Sequence, residues 1–356
     1  MQCTLRCALY SRWRLRVSSD LTSIESIVWP VEREGRPLLE IDRRCNRGDS
    51  KPGVNGAKAP AANRRERNAE AILSVAEAIY NESAVDADAL GFMAKMLVQT
   101  TLPHRAQPGK QYTRIDGDVT LSITDLGGVG LPYGSYPRLI LVWMTTEALR
   151  TRERKLELGR SLSSFMGQLG LQCTGGHWGT IPRFRGQMER LFGAAISTRW
   201  RQDQNGQSNT GGSNLLLAEE FDLWWTPQML PQAPLARSSV TLSQKFFEQL
   251  VEAPVPLDLR AIKALKRSPL SLDLYAWATR RVSYLKRPLR ISWKSFQLSF
   301  GAGYADTAQG KSRFRGNAIE ALRRVKAVYP QLKIEIQRDG VLLHPSLTHI
   351  PKSPVA

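Results

Sequence analysis

The chain has 356 residues, of which 42% are apolar, and it carries 50 Lys and Arg against 32 Asp and Glu, which gives a formal net charge of +18 and a pI near 10.1. This excess favours a polyanionic partner, nucleic acid first and an acidic membrane surface second. No apolar run approaches the roughly 18 residues of a membrane span. The four cysteines form no C-x-x-C pair, so neither a zinc site nor a disulfide framework is expected, and a reducing cytoplasm fits best.

The beginning of the chain gives a weak structural signal. Residues 1–62 mix charge, glycine and proline without periodicity, which predicts a disordered extension with a short strand around Ser23 to Val31. Residues 63–111 are predicted to form a helical N-terminal segment and linker, with helices over Arg64 to Asn81 and Ala87 to Thr100. The next stretch, "QYTRIDGDVTLSITD", alternates apolar and polar residues as strands do.

The remainder of the chain is predicted to form two similar units, over residues 112–236 and 237–356. In each unit the pattern predicts a helix, a strand, a second helix, a loop, a third helix and a β-hairpin. This is the order of a winged helix, so the sequence predicts an α+β, mainly helical protein with tandem winged-helix domains. The alternative is a pair of helical units in another all-α arrangement.

In the first unit, a helix is predicted from Pro137 to about Arg152, and the short strand "KLELG" follows it. Ser161 is typical of a helix N-cap and Gly170 of a helix end. The third helix begins near Thr180, and two strands then flank the polar tip "RQDQNGQSNTGGSN".

In the second unit, the strand "SSVTLS" comes first, and the strand "PLRIS" leads to Ser292, which is again typical of an N-cap. The hairpin "KIEIQRDGVLLHP" has its turn at Asp339 and Gly340. Helices are predicted over Gln244 to Glu252, Leu257 to Arg267, Pro269 to about Leu285, Trp293 to Phe300 and Ser312 to about Tyr329.

The loop "GAGYADTAQGKS", residues 301–312, ends like a phosphate-binding P-loop but has Ala305 where the first glycine is required. An amphipathic helix precedes it, instead of a buried strand, and an arginine-rich helix follows. We therefore expect the turn of a helix-turn-helix, with Lys311 and Ser312 opening a recognition helix. Its backbone N–H groups would be able to hold a phosphate of DNA.

The positive charge is concentrated in the second unit. Residues 257–326 contain sixteen basic and four acidic residues, so twelve of the eighteen net charges lie in seventy residues. On the last helix, Phe314, Ala318, Leu322, Val325 and Tyr329 share one face at helical spacing, and the opposite face is basic. The alternative to a DNA-binding surface is an ordinary solvated basic face.

Candidate DNA contacts follow from this pattern. Arg313 and Asn317 are expected at base edges, because arginine pairs bidentately with guanine and asparagine with adenine. The other candidates in this unit, mainly for phosphates, are Lys286, Arg287, Lys311, Ser312, Arg315, Arg323, Arg324 and Lys326.

In the first unit, Thr180, Arg183, Gln187 and Arg190 are expected on the outer face of the third helix, where they would contact either bases or the backbone. Arg199 and Arg201 on the hairpin are candidates for phosphates. His177 and Trp178, in the turn before the helix, are expected to be packing residues and not ligands.

Nothing in the sequence indicates catalysis. The four histidines have no partner at metal-ligand spacing, and no G-x-S-x-G, H-E-x-x-H or paired-carboxylate pattern occurs, so neither an enzyme nor a metal or other cofactor is expected. Trp224 and Trp225 are able to stack on bases, but they are expected to close the core or the junction between the units.

Two long stretches carry a family resemblance: "LPYGSYPRLILVWMTTEALRTRERKLELGRSLSSFMGQLGLQCTGGHWGTIPRFRGQMERLF" and "PVPLDLRAIKALKRSPLSLDLYAWATRRVSYLKRPLRISWKSFQLSFGAGY". Both are similar to the RepA/TrfA-like family of plasmid replication initiators, and the similarity runs from about Tyr112 to Pro351. The resemblance implies tandem winged-helix domains that bind direct repeats, called iterons, at a plasmid origin in a bacterial cytoplasm. It also implies origin opening, recruitment of the host initiator DnaA and the replicative helicase, and homodimers that repress the protein's own gene.

Without the resemblance, two hypotheses remain. In the first, the protein is an initiator whose two units engage one repeat, and binding to several repeats melts adjacent AT-rich DNA. In the second, it is a transcriptional repressor or a partition adaptor that binds an operator and recruits nothing. A basic protein with two helix-turn-helix units fits both.

Overall fold

The structure is a computed structural model that describes residues 64–99, 101–116, 119–159, 161–204, 207–223 and 238–351. The extension expected over residues 1–62, including its short strand, and the tryptophan pair at 224 and 225 lie outside these ranges.

The described residues form a mixed helical and β fold, which confirms the predicted α+β class. The helices are α1 (Arg64–Asn81), α2 (Lys95–Gln99), α3 (Ser135–Thr151), α4 (Leu162–Gln168), α5 (Thr180–Phe192), α6 (Gln244–Glu252), α7 (Leu259–Leu265), α8 (Pro269–Val282), α9 (Trp293–Phe300) and α10 (Ala308–Val328). The strands are β1 (Leu90–Ala94), β2 (Gln111–Asp116), β3 (Val119–Asp125), β4 (Lys155–Glu157), β5 (Ala194–Gln204), β6 (Gln207–Leu216), β7 (Ala218–Asp222), β8 (Ser239–Leu242), β9 (Pro254–Asp258), β10 (Leu289–Ser292), β11 (Ile334–Ile336) and β12 (Gly340–Leu343).

A strand pair connects the two halves of the chain. Strand β1 pairs with β9 in an antiparallel register that places Gly91 opposite Leu257. The prediction of one helix over Ala87 to Thr100 is therefore wrong, because its first part pairs as β1 and only Lys95–Gln99 is helical. The helix expected from Leu257 likewise begins only at Leu259. Pairing between distant segments overrides local helix propensity here.

The second unit has a compact hairpin next to its helices. Its sheet has the strand order β10-β12-β11, so the strand that precedes α9 pairs with the hairpin that follows α10. Ser292 caps α9 as predicted, since its Oγ accepts from Ser295 N over 3.1 Å. The turn at Asp339 and Gly340 is also confirmed, with Gln337 N donating to Gly340 O over 2.9 Å.

The first unit contains the same order of elements but pairs its strands differently. Its hairpin, β5 with β6, is extended by β3 and β2 into a four-stranded sheet of order β2-β3-β5-β6. The strand before α4 does not join this hairpin and pairs instead with β8, in a sheet of order β4-β8-β7. Ser161 caps α4 as predicted, accepting from Ser164 N over 3.1 Å.

A buried ion pair joins α3 to α8. Arg138 Nε donates to Asp273 Oδ1 over 2.7 Å and Arg138 Nη2 donates to Asp273 Oδ2 over 2.8 Å, so the contact is bidentate. His104 Nε2 lies 2.7 Å from Asp273 Oδ2. Burial alone would raise the pKa of Asp273, but the charge of Arg138 and the contact with His104 lower it to about 2. The long helices of the two units are thus held together by charge as well as by apolar packing.

Candidate nucleic-acid interface

Thr307 and Gly310 have structural roles at the junction of the α9–α10 turn with α10. Thr307 is the N-cap of α10, and its Oγ1 accepts from Gly310 N over 3.1 Å. A Cβ at Gly310 would lie 2.1 Å from the carbonyl oxygen of Ala305, so a side chain cannot be accommodated there. The prediction that Lys311 and Ser312 open this helix is wrong, because the helix begins at Ala308 and both residues lie inside it. The sequence Gly310-Lys311-Ser312, which resembles the end of a P-loop, therefore belongs to the capped first turn of α10.

Helix α10 separates its apolar and polar faces as the sequence predicts. Phe314, Ala318, Leu322 and Val325 are buried, each at most 1% exposed. The opposite face carries exposed side chains and Gly316, where an added Cβ would meet nothing within 4 Å. The candidate residues that are exposed on this helix are Lys311, Ser312, Arg313, Asn317, Arg323 and Lys326.

Asn317 is exposed but its side chain is held in place. Its Nδ2 donates to the hydroxyl of Tyr304 over 2.8 Å. The Tyr304 ring packs edge-to-face on Phe314 at 5.3 Å, and the guanidinium carbon of Arg105 lies 5.7 Å from its centroid. This bond orients the amide and uses one of its two N–H groups. Bidentate pairing with adenine would use the other N–H group together with the amide oxygen.

Some of the candidate cations are already engaged within the protein. The Arg315 guanidinium lies 5.3 Å from the Trp293 ring, and Arg324 Nη2 pairs with Glu320 over 3.1 Å. Lys311 Nζ lies 2.8 Å from Asp306 Oδ1, and this contact lowers the pKa of the Asp306 carboxyl.

By contrast, three cations of α10 stand exposed and make no side-chain hydrogen bond, ion pair or ring contact with any other described residue. These cations are Arg313, Arg323 and Lys326. They are the groups that are free to meet a phosphate or a base edge.

The basic stretch over residues 257–326 does not form one surface. Lys263 and Lys266 are half-buried at the junction of the units, where burial lowers the pKa of both amines. Lys266 Nζ donates to the carbonyl of Gly170, and Arg260 Nη2 pairs with Asp258 over 2.8 Å. This part of the charge lies within the fold and is not part of the exposed face of α10.

Lys286 and Arg287 are exposed in the loop between α8 and β10. This loop leads directly into the strand that pairs with the hairpin. Their predicted role at phosphates is compatible with this position.

On the first unit, the outer face of α5 is less basic than the sequence suggests. The prediction that Gln187 faces outward is wrong, because the side chain is 6% exposed and its Oε1 accepts from Tyr133 N over 2.8 Å. Arg190 is half-buried, with its guanidinium 5.4 Å from the Tyr133 ring. The Thr180 hydroxyl is used within the turn, where it donates to Gln172 O over 2.7 Å. Arg183 remains exposed.

The turn before α5 differs most from expectation. His177 and Trp178 are predicted to pack in the interior, but both are exposed, and Trp178 is 86% exposed. Their rings contact each other edge-to-face at 4.7 Å. The prediction fails because the chain folds the turn away from the core and places Ile181 and Phe184 against it instead.

The long hairpin places Arg199 and Arg201 on alternate positions of β5, and both are exposed. They pair across the hairpin with Gly212 and Thr210. The tip at residues 205 and 206 lies outside the described ranges.

The described ranges lack two features of other classes of protein, a metal-binding cluster and a membrane-spanning helix. Within them, no group of three or more His, Cys, Asp or Glu side chains is arranged to hold a metal ion. Over the same residues, no helix has the length and apolar character needed to cross a membrane.

Residues 131–294 match the family model described as plasmid encoded RepA protein. The match covers less than half of the chain, and over this range it supports the resemblance to plasmid replication initiators. The matched range includes α4, Trp178 and α5 of the first unit and ends at Lys294 within α9. Helix α10 lies beyond it. The match supports a role in starting plasmid replication.

Other comparisons add structures but no curated relative, since no curated protein sequence matches the chain. A selenomethionine crystal structure of domains 2 and 3 of RctB aligns with a TM-score of 0.44 at 10% identity, covering 71% of this chain and 96% of that chain. A second crystal structure of RctB domains 2-3 gives a TM-score of 0.43 at 12% identity, covering 69% and 94%.

Proposed function

We propose that this protein initiates plasmid replication by binding repeated sites, or iterons, in double-stranded DNA at the origin. The observation that carries the proposal is the outer face of α10, where Arg313, Arg323 and Lys326 are exposed around the oriented amide of Asn317. A helix of this kind fits the major groove, and its side chains combine phosphate contacts with base-edge contacts.

Both units are inferred to bind DNA as winged helices. In the second unit, the helix pair α9 and α10 is followed by a hairpin that pairs with β10, and this order of elements supports the proposal of a recognition helix with an adjacent wing. In the first unit, the long hairpin with Arg199 and Arg201 would follow the backbone next to α5. The first unit is a less regular winged helix under this proposal, because its strand β4 pairs with β8 and not with the hairpin.

Later steps of initiation rest on the family alone. Binding to several repeats is proposed to open adjacent AT-rich DNA and to recruit the host initiator DnaA and the replicative helicase. A homodimer is proposed to repress the protein's own gene. The protein is proposed to act by binding and not by catalysis, without a cofactor.

The first experiment identifies the DNA. A selection of bound duplexes from a random pool, with the full chain, should yield one sequence motif, and tandem copies of that motif should occur beside the gene. Arg313→Ala should enrich the same motif with one base position less defined. A selection that enriches no motif with the parent protein would contradict sequence-specific binding.

The second experiment separates an initiator from the alternative, a repressor or partition adaptor. Permanganate footprinting of a supercoiled plasmid with the selected repeats should show unpaired thymines beside the occupied sites when the host initiator is present. Tight binding without unpaired thymines under these conditions would favour the repressor.

A further inference from the structure

The turn before α5 presents a tryptophan ring to solvent. Trp178 is 86% exposed, more than any other large hydrophobic side chain of the described residues. Trp178 lies two residues before Thr180, the first residue of the helix proposed to meet DNA from the first unit. A ring in this position offers a large, flat apolar face to a partner at the beginning of that helix.

Hydrogen bonds tie the turn to the beginning of the helix. Thr174 N donates to Thr180 Oγ1 and Thr180 N donates to Thr174 Oγ1, each over 2.9 Å. A Cβ at Gly179 would lie 2.2 Å from the Thr174 carbonyl oxygen, so the backbone of the turn is closely packed next to Trp178. His177 contacts the Trp178 ring edge-to-face at 4.7 Å.

A cation lies beside the same turn. Arg183 Nε donates to the carbonyl of Gly179 over 3.2 Å, and the residue is exposed. The guanidinium thus approaches the residue next to Trp178. An aromatic face with a neighbouring cation is the combination that binds a nucleobase and the phosphate attached to it.

We propose that Trp178 is a nucleobase-stacking site, with Arg183 holding the adjoining phosphate. The proposal rests on the DNA binding proposed above. The base would come from one of two sources, a duplex step that unstacks against the turn or a strand that is already unpaired. Both sources offer the same apolar, polarisable face, so the chemistry of recognition is the same.

The test compares Trp178→Ala with Trp178→Phe, which keeps an aromatic face. Binding is measured on two probes, a duplex of the selected site and a dT oligonucleotide. Stacking of a nucleobase on an aromatic ring contributes strongly to affinity. Trp178→Ala should therefore weaken binding to the probe that supplies the base by about 5- to 150-fold. Trp178→Phe should retain most of the affinity.

The probe that responds identifies the source of the base. A loss on the duplex assigns the site to an unstacked step, and a loss on dT alone assigns it to an unpaired strand. Tyr80→Ala is the matched control, because it removes a ring that is 80% exposed on α1 and should leave both affinities unchanged. Thermal melting of all the variants should be unchanged, since the substituted rings contribute little to the core.

Fluorescence gives a second readout. The chain has nine tryptophans, so the quenching by DNA that is present in the parent and absent in Trp178→Phe isolates the contribution of this ring. The proposal is overturned if Trp178→Ala binds both probes as the parent does. Failure of the proposed function would give a different result, because the parent protein would then enrich no duplex motif in the selection.

Discussion

The turn before α5 and the turn before α10 have the same close backbone approach at a glycine but orient their aromatic residues differently. Gly179 and Gly310 each approach a carbonyl oxygen five residues earlier, at the position where a Cβ would lie about 2 Å away. In the second unit, the turn folds Tyr304 inward, onto Phe314 and Asn317. In the first unit, it points Trp178 outward.

From this difference we expect the two units to contribute differently to DNA binding. An inward aromatic residue orients a polar side chain that is able to distinguish bases, whereas an outward one offers a face that every base can stack on. The second unit is therefore expected to supply most of the sequence specificity, and the first unit to contribute affinity and to favour distorted DNA.

The largest expected effect tests whether the two units form one cooperative body. Asp273→Asn removes the charge that faces buried Arg138, and the free energy of unfolding should fall by about 3–5 kcal/mol. Urea denaturation should show a single shifted transition. The double variant Arg138→Met with Asp273→Leu is the control and should lose much less, because it leaves no unpaired buried charge. Two separate transitions would contradict the shared core.

The second largest expected effect is a pH dependence of the free energy of unfolding, which arises from a histidine of the second unit. His349 stacks on Tyr329 at 4.6 Å and its Nδ1 lies 2.7 Å from the Tyr275 hydroxyl, while its Nε2 is buried without a partner. Burial lowers the pKa of His349 from 6.5 to about 4. Between these values the unfolded chain binds more protons than the folded chain, so stability falls as the pH falls.

The decrease attributable to His349 should approach about 3 kcal/mol by pH 4. Urea denaturation between pH 7 and 4 measures it. His349→Gln should flatten the profile, and the slope that remains should come from His104, whose pKa is also lowered by burial. An unchanged slope in His349→Gln would contradict this assignment.

At the proposed interface, Arg313→Ala should weaken binding to the selected site by about 1–3 kcal/mol and relax the specificity at one base position. Lys326→Ala is the contrasting variant on the same helix. It should weaken binding to all DNA sequences alike. It should also reduce the slope of log K against log salt concentration by about one. Titrations at several salt concentrations distinguish the two, and parental behaviour of both variants would mean that α10 does not read DNA.

The smallest effect tests the role of the inward tyrosine. Tyr304→Phe keeps the ring on Phe314 but removes the hydroxyl that holds Asn317, at a cost of about 0.5–1.5 kcal/mol in discrimination at one base position. A repeated selection should show that position less defined, with the rest of the motif unchanged. Equal discrimination in both proteins would show that Asn317 orients itself without help.

Much of the fold was predictable from local patterns. The caps at Ser161 and Ser292, the bounds of α5 and the apolar face of α10 all follow from spacing and capping chemistry within one helix. These features depend on neighbours three or four residues apart, which a sequence displays directly. The exposed basic face of α10 was predictable for the same reason.

What the sequence did not display are contacts between distant segments. Helix propensity predicted one helix over Ala87 to Thr100, and only pairing with β9 makes its first part a strand. The buried pair of Arg138 and Asp273 joins residues 135 positions apart, although a lone aspartate in the apolar run "LSLDLYAW" was a signal that could have suggested a buried partner.

By itself, the sequence determined the helix, strand, helix, helix and hairpin order within each unit, the amphipathic faces and the basic excess, because these depend on residue type and local spacing. The tertiary structure decided which polar groups are buried, such as Gln187, and which aromatic rings are exposed, such as Trp178. Exposure depends on what the rest of the chain covers, and that is fixed only when distant segments pack together.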